Sequence, residues 1–241
     1  MLILVVALAP VIALVFYFYH QDKYEKEPRD MLIKAFVYGA LVANASIVLE
    51  LLVGSFFRLF IFSPVVLFYI KVFLEAGLIE EACKFFIFMK LIYNHKEFNE
   101  PYDAILYAVM ISLGFAAVEN ILYVTGASIK FDALAAIHVG VARAIFAVPG
   151  HAVFGVIMGY CFGMAKLAAN SKRRFDLLVN ALILPAVLHG FYDFFALGQP
   201  YTGIFYLVVL MILCWAFAFR AIKIQLARSP FKDKDNDTEN R

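Results

Sequence analysis

The clearest pattern in the chain is a series of long apolar runs separated by short polar breaks. Met1 to Tyr19 is apolar throughout and is followed by the densely charged His20–Asp30 (HQDKYEKEPRD). Further runs fall at 31–54, 65–93, 102–125, 148–168, 176–197 and 201–226. Each approaches or exceeds the roughly 20 residues that carry a helix across a bilayer. The pattern predicts an all-α, polytopic transmembrane helical bundle of about seven spans. A single membrane domain covers residues 1–226, and a polar, disordered cytoplasmic tail covers 227–241. Met1–Tyr19 has no basic leading segment and no clear A-x-A cleavage site ahead of the polar loop, so it reads as a retained span, with a cleaved signal peptide as the alternative.

Two stretches fit less simply. Residues 56–63 contain Arg58 and either continue the second span or lie at the interface. Residues 131–148 contain His138 and Arg143 and are short for a span. They read as an interfacial helix leading to a break at Pro149-Gly150, with an eighth, short span as the alternative.

Basic residues set the orientation. Lys23, Lys26 and Arg29 lie in the first loop, Lys96 in the third, and Lys172, Arg173 and Arg174 in the fifth, while Arg220, Lys223 and Arg228 flank the C-terminal end. The other loops hold mainly Arg58 and Lys130. Basic loops stay on the cytoplasmic side. This predicts an outside N-terminus and a cytoplasmic C-terminus, with Arg143 counting mildly against it.

Composition narrows the class. The 241 residues are 64% hydrophobic, against about half for soluble domains. A net charge of +2 gives no footing for nucleic acid. Cys83, Cys161 and Cys214 all lie in apolar runs, which is neither a disulfide framework nor a metal knuckle. No internal repeat of the kind that marks many transporters is visible.

Ionisable residues inside spans cost several kcal/mol and need a reason. Four groups stand out. Glu80, Glu81 and Lys84 lie in LIEEACKFF on the third span. Glu80 and Lys84 are spaced to share a face, whereas the two acids point about 100° apart on an α-helix. Glu119 and Asn120 lie on the fourth span, with no base four residues away, so Glu119 needs a partner from another helix. His151 heads a stripe with Gly155, Gly159 and Gly163, and small residues at that spacing let helices pack closely in lipid. His189 and Asp193 are four apart on the sixth span and can form an orienting pair. Each group alone also has a structural reading, as an ion pair or an interhelical hydrogen bond.

Depth brings the groups together. Counted from the cytoplasmic span ends, all four lie roughly 20–27 Å up, in a core about 30 Å thick. They therefore share the outer half on four helices. Lys71 with Glu75 reads as a separate structural pair, and Asn44 and Glu50 as supports.

Carboxylates with neutral imidazoles in a partly dry cavity suit water activation, with a glutamate as general base and imidazole N–H groups at a developing oxyanion. The same residues suit zinc. There is no H-E-x-x-H motif and no G-x-S-x-G elbow.

In order along the chain stand EExxK (Glu80, Glu81, Lys84), FxxxEN (Phe115, Glu119, Asn120), GHxxxGxxMG (Gly150, His151, Gly155, Met158, Gly159) and HGxxD (His189, Gly190, Asp193). This set, with DKYEKEP after the first span and PYDAILYA opening the fourth, resembles the PrsW family of intramembrane proteases. That family is distantly related to the CAAX prenyl-protease and bacteriocin self-immunity superfamily, where the second motif is usually FxxxH; here it ends in Glu119. The resemblance implies cleavage of a single-span anti-sigma-factor-like protein near the outer face of a bacterial cytoplasmic membrane.

The leading expectation is a metal-free, glutamate-type endopeptidase. Glu80 is the base and Glu81 supports it. His151 and His189 bind the oxyanion or the water, Asp193 orients His189, and Glu119 tunes protonation. No cofactor is expected. The alternative within enzymes is a zinc protease with Glu80, His151 and His189 as ligands. The ligand spacing weighs against it, because no pair among Glu80, Glu81, His151 and His189 has i,i+4 spacing. Outside enzymes the alternatives are a proton-coupled transporter and a non-catalytic self-immunity or binding protein.

Overall fold

A computed structural model describes residues 2–198 and 202–232; residues 199–201 and the predicted tail from 233 onward lie outside the described residues. Its regular elements are all helical: α1 (Leu2–Gln21), α2 (Arg29–Phe60), α3 (Pro64–Tyr69), a π-helical segment (Ile70–Glu80), α4 (Glu81–Leu91), α5 (Pro101–Lys130), α6 (Ala133–Ile145), α7 (Ala147–Lys166), α8 (Ser171–Gly198) and α9 (Thr202–Leu226). Six stretches among the described residues are long and apolar enough to cross a membrane. They are α1, α2, α5, α6 with α7, α8 and α9. The predicted third span is present as three consecutive helical pieces, none of them long enough alone. The chain is a multi-pass membrane protein.

Start and stop signals explain the boundaries. Pro28, Pro64 and Pro101 stand at helix starts, where a missing N–H costs nothing. Asp132 caps α6 by accepting a hydrogen bond from the Ala135 N–H at 2.7 Å. The acceptor Asp103 Oδ2 takes the Asn99 and Glu100 N–H groups at 2.9 and 2.8 Å and fixes the start of α5. Residues 56–60 continue α2.

Helices α5 and α7 form the buried centre, with α1 and α2 against α5 and α8 and α9 against α7. The predicted glycine stripe is the seam between α5 and α7. A Cβ on Gly155 would lie 2.9 Å from Ser112 Oγ, one on Gly159 2.5 Å from Ile105 Cα, and one on Gly163 2.7 Å from the Pro101 carbonyl. Glycine is what lets these two backbones meet.

Two departures from the sequence reading matter for the site. The break before the His151 helix falls at Phe146, so Pro149 sits inside the first turn of α7. And the third span is π-helical from Ile70 to Glu80, with the return to α-helix between the two neighbouring glutamates. In a π-helix bonds run i→i+5, so residues four apart no longer stack. Accordingly the expected Lys71–Glu75 ion pair does not form among the described residues, and Glu75 instead packs against Gly54 of α2.

One end of the bundle is basic. Lys166 Nζ donates to the Tyr93 carbonyl at 2.9 Å, Arg228 reaches Met164 Sδ at 3.0 Å, and Tyr102 Oη–H donates to the Phe18 carbonyl at 2.8 Å. These contacts gather the first, third and fifth loops and the end of α9 at one level. Tyr107 Oη–H also donates to Glu27 there, tying the first loop to α5.

Candidate active site

The four polar groups converge near the other end. Gly77 in the π-helical segment meets α8 so closely that a Cβ would lie 2.6 Å from the Ala186 carbonyl, and Gly190 in turn faces Phe73. This contact sets Glu80 and Glu81 against His189. The α5–α7 seam sets Glu119 beside His151.

A continuous polar chain links six elements. Arg143 of α6 approaches Glu119 Oε2 at 3.1 Å, and its Nε–H donates to Asn120 Oδ1 at 2.5 Å. Glu119 Oε2 accepts from His151 Nε2 at 2.7 Å. His151 Nδ1 faces Lys84 Nζ at 3.2 Å, and Lys84 donates to Glu81 Oε1 at 2.7 Å and Glu80 Oε2 at 3.4 Å. Glu81 Oε1 also accepts from His189 Nδ1 at 2.9 Å. The partners assign the tautomers: Nδ1 of His151 accepts from the ammonium, so its Nε2 carries the proton, and His189 is protonated at Nδ1.

Every expected site residue lies at or beside this chain, though not always with the expected partner. Glu81, rather than Asp193, is the carboxylate hydrogen-bonded to His189. Both nitrogens of His151 are engaged, so of the four imidazole nitrogens in this cluster only His189 Nε2 has no hydrogen-bond partner among the described residues. Glu80 and Glu81 both reach Lys84 despite their divergent directions, because Lys84 is three residues from one and four from the other.

A cavity of about 610 Å³ opens onto the cluster and is lined by Glu80, Glu119, Arg143, His151, His189 and Asp193, with Glu50, Lys71 and Glu75 on its walls. Glu81 and Lys84 lie behind this lining with no exposed side-chain surface. Phe154 stacks on His189 with ring centroids 5.1 Å apart.

Arg143 is the residue whose place in the site the sequence reading missed. It is anchored over the Tyr123 ring at 4.2 Å as well as by Asn120, whose amide donates to the Ala7 carbonyl at 2.6 Å. The signal was present: an arginine in an apolar stretch, with no acid one turn away, two turns ahead of His151.

A profile described as PrsW family intramembrane metalloprotease matches residues 27–218. The chain belongs to the PrsW family. The protein called Protease PrsW in Geobacillus kaustophilus is 36% identical over 215 residues, covering 89% of this chain and 88% of its own. Its Oceanobacillus iheyensis counterpart is 38% identical over 222 residues, covering 92% and 94%. Protease PrsW of Bacillus subtilis is 36% identical over 223 residues, covering 90% and 92%. No solved structure matches the chain.

Membership of a family of intramembrane metalloproteases raises the question of a metal. Glu80, Glu81, His151 and His189 each bring a ligand atom within 4.8 Å of the others, and two carboxylates with two imidazoles is a donor set that zinc accepts. The donors come from three different spans, so the lack of i,i+4 spacing does not bear on them. The fit fails for a different reason. Lys84 Nζ is hydrogen-bonded to Glu80, Glu81 and His151, three of the four donor residues. As arranged, the cluster already encloses a cation.

Proposed function

We propose that this PrsW-family chain is a glutamate-type intramembrane endopeptidase that hydrolyses a single-span membrane protein near the outer face of the membrane. The observation that carries this reading is the separation of the two glutamates. Glu80 faces the cavity, while Glu81 is fully buried and holds Lys84 and His189.

In this reading a water between Glu80 and the substrate loses its proton to the Glu80 carboxylate. The hydroxide attacks the scissile carbonyl. His189, its ring fixed by Glu81 through Nδ1, presents Nε2 to the reacting oxygens, and in its protonated form it donates to the oxyanion. Glu80 then returns the proton to the departing amine. Glu119 and Arg143 hold His151, and through Lys84 they hold the carboxylates in place. An extended segment of substrate enters the cavity between apolar walls.

The resemblance to PrsW proteases supports a single-span anti-sigma-factor-like protein as substrate, and the gathering of basic loops at the far end supports cleavage near the outer face. The test is purified protein with a defined single-span substrate in vesicles. Glu80→Gln is expected to lower the cleavage rate by a factor of about 10²–10⁴ with unchanged helical content, while Lys71→Ala, on the cavity wall, stays within about threefold of wild type. Cleavage by Glu80→Gln at the wild-type rate would remove Glu80 from the mechanism.

A further inference from the structure

The ammonium of Lys84 has three N–H groups, and all three are used, by Glu81 Oε1 at 2.7 Å, His151 Nδ1 at 3.2 Å and Glu80 Oε2 at 3.4 Å. Its remaining side is covered by the Phe115 ring, 4.1 Å from Nζ to the ring centroid. Its side chain has no exposed surface, and neither has that of Glu81. A lysine is rarely enclosed so fully unless its charge is matched, and here the acceptors that match it are residues of the one metal-like donor cluster among the described residues.

We propose that Lys84 is a built-in cation that occupies the metal position of this centre, so that the protein keeps a zinc-type ligand cluster closed to zinc. The proposal rests on the reading of this cluster as the peptidase centre. Lys84 acts as a positioning residue. It neutralises Glu81, draws Glu80 to within 3.4 Å while leaving it facing the cavity, and fixes the proton of His151 on Nε2 for Glu119. A divalent ion bound to the same carboxylates would stand beside a buried ammonium, where like charges repel strongly because no water screens them. Metal entry therefore requires the ammonium to leave. Removing it while keeping its volume should expose two carboxylates and two imidazoles with no counter-ion, which is a zinc site.

The experiment compares wild type and Lys84→Met, both purified from zinc-supplemented cells and passed over a chelating resin, then titrated with Zn²⁺. Wild type is expected to retain no stoichiometric zinc and to bind it weakly. Lys84→Met is expected to take up one zinc per chain at least about tenfold more tightly, and to lose that uptake when His151→Ala is added. A merely structural lysine would not produce this gain. Stoichiometric zinc in resin-treated wild type overturns the proposal, as does equal affinity in the two proteins. If Lys84→Met does not fold, the wild-type content and titration decide: weak, substoichiometric zinc with activity insensitive to chelator supports the proposal, and tight stoichiometric zinc overturns it. Cleavage of a single-span substrate is measured separately, so an inactive, zinc-free protein counts against the peptidase reading alone.

Discussion

For single side chains, position in the chain of hydrogen bonds decides the task. Glu80 and Glu81 are adjacent in sequence, yet one borders the cavity and the other is sealed behind it. The same logic governs the acids at the basic end. Burial pushes the Glu27 carboxyl up to about 7 from its ordinary 4.5, with Tyr107 donating to it, and burial likewise pushes Glu100 up to about 7. The native protein therefore binds these protons more tightly than the unfolded chain does. Their contribution is fully present below about pH 4.5 and is lost as pH rises through about 7. We expect the melting temperature in detergent to fall from pH 6 to pH 8.5, and Glu27→Gln to flatten that slope. A slope unchanged by Glu27→Gln would show that Glu27 does not titrate in the folded protein. None of this was visible in HQDKYEKEP, which reads as an ordinary charged loop because sequence does not reveal that Asp22 and Glu27 are buried. The cluster residues were legible for the opposite reason. An acid or histidine in an apolar run is costly wherever it points, so Glu80, Glu81, Glu119, His151, His189 and Asp193 declare themselves. Which one touches which depends on helix rotation, and the pairing expected for His189 shifted from Asp193 to Glu81 accordingly.

Among the elements, helix–helix approach depends on where side chains are missing. On α7 the stripe Gly155, Gly159, Gly163 was readable from spacing alone, and it forms the seam with α5. At Gly159 a Cβ would meet backbone, Ile105 Cα at 2.5 Å and the Ala104 carbonyl carbon at 2.8 Å, so neither neighbour can swing aside. Gly159→Val is therefore expected to cost about 1–3 kcal/mol or more through overpacking and to lower activity by parting Glu119 from His151. Gly126 on α5 is the control, since a Cβ there meets nothing within 4 Å. Gly126→Ala should be neutral or stabilising by up to about 1 kcal/mol through helix propensity. Thermal melts of the two variants in one detergent distinguish the positions, and equal melting temperatures would refute the seam. The π-helical segment was not legible. Hydropathy records that residues 65–93 are apolar but not whether their bonds run i→i+4 or i→i+5, and it is the latter that unpairs Lys71 from Glu75. Helix α6 was half legible: a separate helix ahead of His151 was read, but it joins α7 in one stretch long enough to cross a membrane, and its delivery of Arg143 to Glu119 depends on a turn at Phe146 that no proline or glycine marks.

The basic loops of the whole molecule lie at one end of the bundle. Contacts such as Lys166 with Tyr93 and Arg228 with Met164 bring the loops carrying Lys23, Lys26, Arg29, Lys96, Lys172, Arg173 and Arg174 to one end. The opposite end presents Arg58 and Lys130. Positive charge is retained in the cytoplasm when the carrying loops are short, as all of these are. The basic end is therefore expected to be cytoplasmic, and the cavity to lie toward the outer face. His151 gives an independent measure. It is the fifth residue of α7, whose far end at Lys166 belongs to the basic cluster. Fifteen residues at 1.5 Å each place it about 22 Å from that end, in a core about 30 Å thick. A reporter that needs the cytoplasm should be active when fused after Lys172 and inactive when inserted at Ile61–Ser63, and a cysteine placed at Ser63 should react with a membrane-impermeant thiol reagent in intact cells. The reverse pattern would turn the molecule over. It would put the cavity near the cytoplasmic face and move the expected cut to the inner end of the substrate span, while leaving the cluster and its chemistry as they stand.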